Sequence, residues 1–280
     1  MPGTLYLVPT PIGNLGDISR RMADTLAAVD FIAAEDTRVT VKLLNHLGLK
    51  KPMVSYYRHN TGASGAAVLS RLLAGEDCAL VTDAGTPAVS DPGEELVAQC
   101  AAAGVSVVSI PGPCALITAL AASGLPTGRF TFEGFLAMNK KNRRAHLEQL
   151  RDEPRTMLFY EAPHKLTATL RDLRDTFGPE RRISLCRELT KLHEEVRRTT
   201  LGEAAAWYEE NPPKGEFVLV VEGGCPPAED KATLEDGMER LLALRGQGCS
   251  LKDAARQAAA ELGLSRKALY DRAVSSKKDA

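Results

Sequence analysis

No apolar run in the 280-residue chain approaches the roughly 20 residues needed to cross a bilayer. The opening MPGTLYLVPTP has no basic leader followed by a long apolar core, so no signal peptide is expected either. Charge of one sign is equally scarce: 35 Lys and Arg stand against 36 Asp and Glu, for a formal net charge of −1. The field of the whole molecule therefore gives no argument for a nucleic-acid or membrane partner, and any polyanion site must come from a local basic cluster. The six cysteines (Cys78, Cys100, Cys114, Cys186, Cys225, Cys249) are scattered, without C-x-x-C or zinc-like spacing, which reads as reduced thiols in a cytoplasmic protein. The five histidines are dispersed too. KLHEEVRR at 191–198 shares only its first two motif letters with a metalloprotease helix, because no second His follows four residues on. No metal is expected.

Phosphate and nucleophile signatures are also missing. There is no G-x-G-x-x-G after the first strand-like run and no G-x-x-x-x-G-K-[ST] loop. The G-x-S-x-G of a hydrolase elbow is absent as well. What remains favours a ligand gripped by backbone groups rather than in a phosphate nest.

What is there is alternation. LYLVP, FIAAED, MVSYY, CALVTD and VSVVSI read as strands, separated by helical patterns such as SRRMADTLAAV and GASGAAVLSRLLAG. Strands alternating with helices of this length predict a mostly parallel sheet covered on both faces. Gly124, Pro126 and Gly128 then punctuate the chain. A second alternating set follows: FTFEGFL, TMLFYEA, RISLCREL and EFVLVVEGG, with HKLTATLRDLRDTFG as a helix among them. This predicts an α/β fold of two tandem α/β domains, residues 1–124 and 125–225. Beyond GGCPPAED the pattern is purely helical, and 232–280 reads as a tail with helices meeting at Gly263-Leu264, N-capped by Ser250 and Ser265. Helix, Gly-containing turn, helix is the helix-turn-helix pattern. The end at Lys277-Lys278 is read as frayed.

In parallel α/β sheets ligands bind where strands end and loops splay apart. Three strand ends are rich in Gly, Pro and small residues: VPTPIGNLGD (8–17), LVTDAGTPAVSDPGEELV (80–97) and SIPGPCALITAL (109–120). Asp91-Pro92-Gly93-Glu94 is a complete capping sequence, with Asp as N-cap, Pro at N1 and Glu at N3, so Asp91 is read as structural. Asp83 to Ala88 is longer than a turn needs and is read as a ligand loop.

TPIGNLGDIS, AEDTR, YYRHN, VTDAGTPAVSDPG, PGPCALITAL and YEAPHKL, in that order, resemble the ribosomal RNA small subunit methyltransferase I family of the tetrapyrrole (corrin/porphyrin) methylase superfamily. The resemblance spans Leu5 to about Gly223, and the helical tail is compatible with it. It implies the tetrapyrrole-methylase architecture, an S-adenosyl-L-methionine cleft between the two α/β domains, 2′-O-methylation of a 16S rRNA cytidine in the 30S subunit, and a homodimer. Carried over by position, Pro11, Ile12 and Gly13 would border the cofactor, and Asp83, Ala84, Gly85 and Ala88 would line it. Cys114 and Ala115 would follow the third strand end, and Tyr160, Glu161, Leu189 and Phe217 would close the cleft. Enzymes acting on the macrocycle open with G-x-G-P-G-D where this chain has PTPIGN. A corrin or porphyrin methyltransferase is therefore the alternative within the class, and a nucleic-acid-binding regulator with a sensor body the alternative outside it.

A ribose 2′-hydroxyl is weakly acidic, so a base beside it would help. The polar residues of AEDTR and YYRHN supply Glu35, Asp36, Arg38, His59 and Asn60, of which Glu35, Arg38 and His59 are ranked as substrate-side and Asn60 as an RNA contact. Each has a plainer reading: Glu35-Asp36-Thr37 can cap the next helix, Arg38 can pair with either carboxylate, and His59 can be a surface histidine. Lys140, Lys141, Arg143 and Arg144 in MNKKNRRAHL form the sharpest basic cluster and are read as phosphate contacts. In the tail, Lys252, Arg256, Arg266, Lys267 and Arg272 support RNA docking, diluted by Asp253, Glu261 and Asp271.

Overall fold

The computed structural model describes residues 1–58, 60–224 and 232–275. His59, Cys225 and the Lys277-Lys278 end lie outside the described residues. The chain divides into two compact units, Met1–Gly224 and Cys225–Ala280.

The first unit holds two five-stranded sheets. The N-terminal sheet has β1 (Thr4–Leu7), β2 (Phe31–Ala34), β3 (Met53–Ser55), β4 (Cys78–Val81) and β5 (Ser106–Ser109) in the order β3-β2-β4-β1-β5. All its pairings are parallel. β2 and β4 are buried at every position, which is why they read as continuous apolar runs rather than alternating ones. One face is covered by Met22 and Leu26 of α1 (Arg20–Ala28) and Leu43 and Leu44 of α2 (Thr37–His46). The other is covered by Val68 and Leu72 of α3 (Thr61–Leu73) and Leu96 and Cys100 of α4 (Glu94–Ala102). Neighbouring strands β1 and β4 thus send their helices to opposite faces. That is the switch point at which such sheets open a crevice beyond the strand ends.

Helix α5 (Ala115–Ser123) leaves β5 and packs Leu116, Ala119 and Leu120 on the second sheet, against Leu158, Cys186, Val218 and Val220. Gly124 ends it in a left-handed conformation. The second sheet contains β6 (Phe130–Phe135), β7 (Thr156–Glu161), β8 (Arg182–Arg187), β9 (Glu195–Thr200) and β10 (Phe217–Val221), in the order β6-β7-β10-β8-β9. Only β6 with β7 is parallel; the other pairs are antiparallel. Strand β9 begins inside the KLHEEVRR stretch, where charge hides the strand signal, as suits an edge position. The far face is covered by α6 (Lys140–Gln149), α7 (Pro163–Phe177) and α8 (Leu201–Glu210), with Leu147, Leu166, Leu170 and Ala205 in its core.

The second unit is helical: α9 (Leu234–Gly246), α10 (Leu251–Leu262) and α11 (Arg266–Ser275) around Leu241, Leu244, Ala255, Ala258 and Leu269. Ser250 caps α10 by accepting from the Asp253 N–H at 3.1 Å, and Gly263 ends it at φ 66°. Ser265 accepts from the Ala268 N–H at 3.4 Å. No helix among the described residues is long and apolar enough to cross a membrane.

Candidate functional site

The loops after β1, β4 and β5 leave the same sheet edge and are stitched together. The Thr10 N–H donates to the Gly85 carbonyl at 2.9 Å, and the Gly85 N–H returns to Thr10 at 3.0 Å. Thr10 Oγ1 donates to the Thr82 carbonyl at 3.0 Å, and Thr86 Oγ1 reaches Pro113 at 2.9 Å. Gly85 has φ 86°, a conformation that a Cβ disfavours. The small residues are there so that three backbones can touch.

Between this rim and the second sheet lies a cavity of about 470 Å³, within the range of roughly 300–1,000 Å³ of small-molecule sites. Ile12, Asp83, Ala84, Gly85, Cys114 and Ala115 line it from the N-terminal side, and Tyr160, Glu161, Leu189 and Phe217 from the other. Pro11 and Gly13 face a neighbouring groove of about 280 Å³ with Asn14 and Lys42. A Cβ on Gly13 would lie 2.5 Å from Lys191 Cγ, so the lysine stem fixes that residue as glycine. Ala88 is a correction: it does not line the cavity, and at φ 65° it packs back against Gly93.

Asp91 is a second correction. Gly93, at φ 147°, is the N-cap of α4, and Asp91 lines the cavity instead of capping the helix. There it joins Glu35 and Asp83. Burial, then the Glu35 and Asp83 charges, push its carboxyl up to about 7. Burial also raises Glu35 and Asp83. Glu35 Oε2 accepts from the Asp83 N–H at 3.4 Å, and Asp83 Oδ1 from the Asp36 N–H at 3.2 Å. Asp36 is the cap of α2, accepting from the Arg38 N–H at 2.8 Å, and it also holds the exposed Arg38 guanidinium at 2.6 Å. Hydrogen bonds from Arg38 hold Asp36 at about 2.

The opposite wall is braced from α7. Glu161, buried at the end of β7, accepts from its neighbour Ala162 N–H at 2.9 Å and from Thr169 Oγ1 at 2.6 Å. The Tyr160 hydroxyl accepts the Leu116 N–H at 3.2 Å, and its ring contacts Phe132 and Phe135 at 5.0 and 5.4 Å. Among the described residues, the non-glycine residues with positive φ are Ala88, Ser90, Glu188 and Thr190, in two turns that border the cavity. Backbone strain gathers at the site. Lys191 bonds Glu188 at 2.9 Å and Glu216 at 2.7 Å at the cavity edge. Sequence reasoning missed Asp91, Glu188, Lys191 and Glu216 as cavity residues, since no local spacing marks a charged side chain that a turn brings in.

Residues 4–205 match the family Tetrapyrrole (Corrin/Porphyrin) Methylases, and residues 232–277 match the RsmI C-terminal HTH domain. A relative in Synechocystis sp. named ribosomal RNA small subunit methyltransferase I is 50% identical over 96% of each chain. One of the same name in Pseudomonas aeruginosa is 46% identical over 97% of each chain. The chain belongs to the ribosomal RNA small subunit methyltransferase I family. Its fold is shared with uroporphyrin-III C-methyl transferase from Thermus thermophilus, solved in complex with S-adenyl homocysteine, at TM-score 0.55 and 19% identity, covering 79% of this chain and 97% of that one.

In this member of the family the basic cluster divides. Lys140 and Lys141 are exposed at the start of α6. Arg143 is a further correction: it is 7% exposed and bonded to buried Asp172 at 2.6 Å, so it cannot meet a phosphate. Arg144 is half-exposed but also bonds Asp172, at 2.8 Å. Asn60 is likewise committed to its own turn, accepting from the Tyr57 N–H at 2.7 Å and donating to the Ser55 carbonyl at 3.1 Å. In the tail, Lys252, Arg256, Arg266, Lys267 and Arg272 are exposed, with Arg256 paired to Asp253 at 3.2 Å.

Proposed function

We propose that this chain is an S-adenosylmethionine-dependent methyltransferase that modifies the 2′-oxygen of a cytidine in 16S rRNA of the small ribosomal subunit, as a cytoplasmic homodimer. The observation that carries the reading is the cavity, whose chemistry fits a sulfonium nucleoside. Ile12, Val89, Leu189 and Phe217 offer an apolar slot for a purine. Helix α5 starts at the cavity wall without a side-chain cap on Cys114; with the Leu116 N–H taken by Tyr160, the neighbouring first-turn N–H groups remain as donors for a carboxylate. Glu35, Asp83 and Asp91 offer negative charge to cationic groups. When bound, S-adenosylmethionine supplies a methyl already activated on sulfur.

The protein's own task is to position and to accept a proton. Holding an oxygen at attack distance is a positioning effect worth several kcal/mol. The proton that leaves the 2′-hydroxyl goes to a carboxylate oxygen, and Glu35 and Asp91 are the acceptors we assign. Arg38, fixed by Asp36 yet exposed, is the substrate-side cation of the same edge. His59 retains the substrate-side role that its position in YYRHN implies. Lys140 and Lys141 are assigned to phosphates.

The test uses labelled cofactor and small subunits from a strain lacking the gene, followed by mapping of the modified nucleotide. Wild-type protein gives stoichiometric 2′-O-methylcytidine. Gly85→Arg abolishes it, because a side chain at Gly85 starts 3.5 Å from Ile12 Cγ2 on the cavity wall. Label on a base carbon or on protein overturns the 2′-oxygen assignment.

A further inference from the structure

The basic cluster that was read as four phosphate contacts contains a buried clamp. Asp172, 3% exposed on α7, receives Arg143 Nε at 2.8 Å and Nη2 at 2.6 Å on one oxygen, and Arg144 Nε at 2.8 Å on the other. Burial opposes ionisation of this carboxyl, but the two guanidiniums outweigh it and keep it below its ordinary value. Arg143 has donors to spare, and its Nη1 reaches back to the carbonyls of Ala137 and Met138 at 3.4 and 3.2 Å. Those carbonyls belong to the loop between β6 and α6. Just before the loop stands Phe135, a cavity-wall residue; just after it stand exposed Lys140 and Lys141.

The rest of this arm is fixed as well. Asn139 caps α6, accepting from the N–H groups of Lys141 and Asn142 at 2.9 and 3.2 Å. His146, in the last turn of the helix, contacts Glu133 at 3.0 Å at the point where β6 bulges between Phe132 and Gly134. An exposed charge run with no structural duty has no reason to bury one of its arginines. A lysine pair with no ion-pair partner among the described residues, mounted on a clamped loop beside the cavity, does have a reason to be held still.

We infer that Arg143 and Asp172 are positioning residues for the RNA substrate: they lock the β6–α6 loop so that Lys140 and Lys141 present two fixed cations to the phosphates flanking the target nucleotide. The inference rests on the rRNA reading above. A guanidinium is required because a single planar fork must reach a carboxylate and two carbonyls at once, which one ammonium cannot do.

The test is a mutant cycle in methyl transfer to small subunits, with S-adenosylhomocysteine affinity measured by calorimetry on each variant. Lys140→Ala with Lys141→Ala raises KM for subunits about tenfold and reduces the salt slope of kcat/KM by roughly 1.5, as expected for two lost phosphate contacts. Arg143→Met raises KM by a similar factor while kcat and the affinity for S-adenosylhomocysteine stay within about twofold. Combining all three substitutions adds little beyond either alone, because a displaced loop has already lost its lysines. Arg143→Lys, which preserves charge and most of the packing, gives an intermediate KM and takes Arg143→Met's place in the cycle if that variant does not bind S-adenosylhomocysteine. Effects that multiply, an unchanged KM in the Arg143 or the lysine variants, or a parallel loss of S-adenosylhomocysteine binding in Arg143→Lys overturns the inference. Absence of transfer by the wild-type protein sinks the rRNA reading itself.

Discussion

The Asp91 carboxyl must lose its proton in a half-buried position already shared with Glu35 and Asp83, with Arg58 as the cation that partly offsets them and Tyr160 among its neighbours. Its affinity for a proton therefore differs between the folded and unfolded chain. From an ordinary 3.8 it rises to about 7 when folded. Below 3.8 both states hold the proton and there is no cost. Between the two values only the folded state holds it, so stability falls as pH rises, and above about 7 the full penalty applies. At about 1.4 kcal/mol per tenfold change in proton affinity the span is worth about 4 kcal/mol. Solvent at the open cavity mouth screens it, and about 2 kcal/mol is the discounted figure.

Asp91→Asn removes that penalty. The variant should match the wild type near pH 3, below the unfolded value, and exceed it by about 2 kcal/mol at pH 8. Urea unfolding followed by Trp207 fluorescence reads this out, since Trp207 is the chain's single tryptophan and belongs to the α/β unit. An equal effect at both pH values, or a loss of stability at pH 8, refutes the electrostatic reasoning. The same variant loses a proton acceptor, so transfer should fall by about 100-fold or more with S-adenosylhomocysteine binding retained. Activity within twofold of wild type would leave Glu35 as the sole carboxylate base.

The N-terminal sheet was legible because its signal is local. CALV and FIAA are apolar throughout, as strands buried on both faces must be, and the Gly- and Pro-rich stretches after them mark the strand ends. The family resemblance carried by the motifs at those ends, and by YEAPHKL further on, named most of the residues that line the cavity. Two kinds of error share one cause. Asp91-Pro92-Gly93-Glu94 has the residues of a cap, and Arg143 sits in a run that looks like a solvated face, yet tertiary partners decide both. The strained turn at Ala88 and Ser90 delivers Asp91 to the cavity beside Glu35, which a different strand end supplies. Asp172, 29 residues downstream, claims Arg143. Strand β9 was hidden by its charges, which an edge strand tolerates and a central one does not.

The cavity's two halves make separate predictions. Tyr160→Phe keeps the ring contacts with Phe132 and Phe135 but leaves the Leu116 N–H without its acceptor, so it should destabilise the α/β unit by about 1–2 kcal/mol in thermal melts. It should also weaken S-adenosylhomocysteine binding a few-fold, because α5 starts on the cavity wall. Ser90 tests whether strain serves the site. At φ 67° a serine is held where glycine is at ease, at a cost of about 1–2 kcal/mol. Ser90→Gly relieves it and gives back part of the gain through a freer unfolded chain, leaving a net stabilisation of up to about 1 kcal/mol. The backbone carbonyl of Ser90 still accepts from Arg58 Nη2, at 3.3 Å, so no tertiary bond is lost. What is lost is the stiffness of the turn that aims Asp91. Stability should therefore rise while kcat falls several-fold and S-adenosylhomocysteine affinity holds. If Ser90→Gly is less stable than wild type, the left-handed turn is not a strained one. If it is more stable and equally active, the strain does nothing for Asp91, and the turn's conformation is incidental to catalysis.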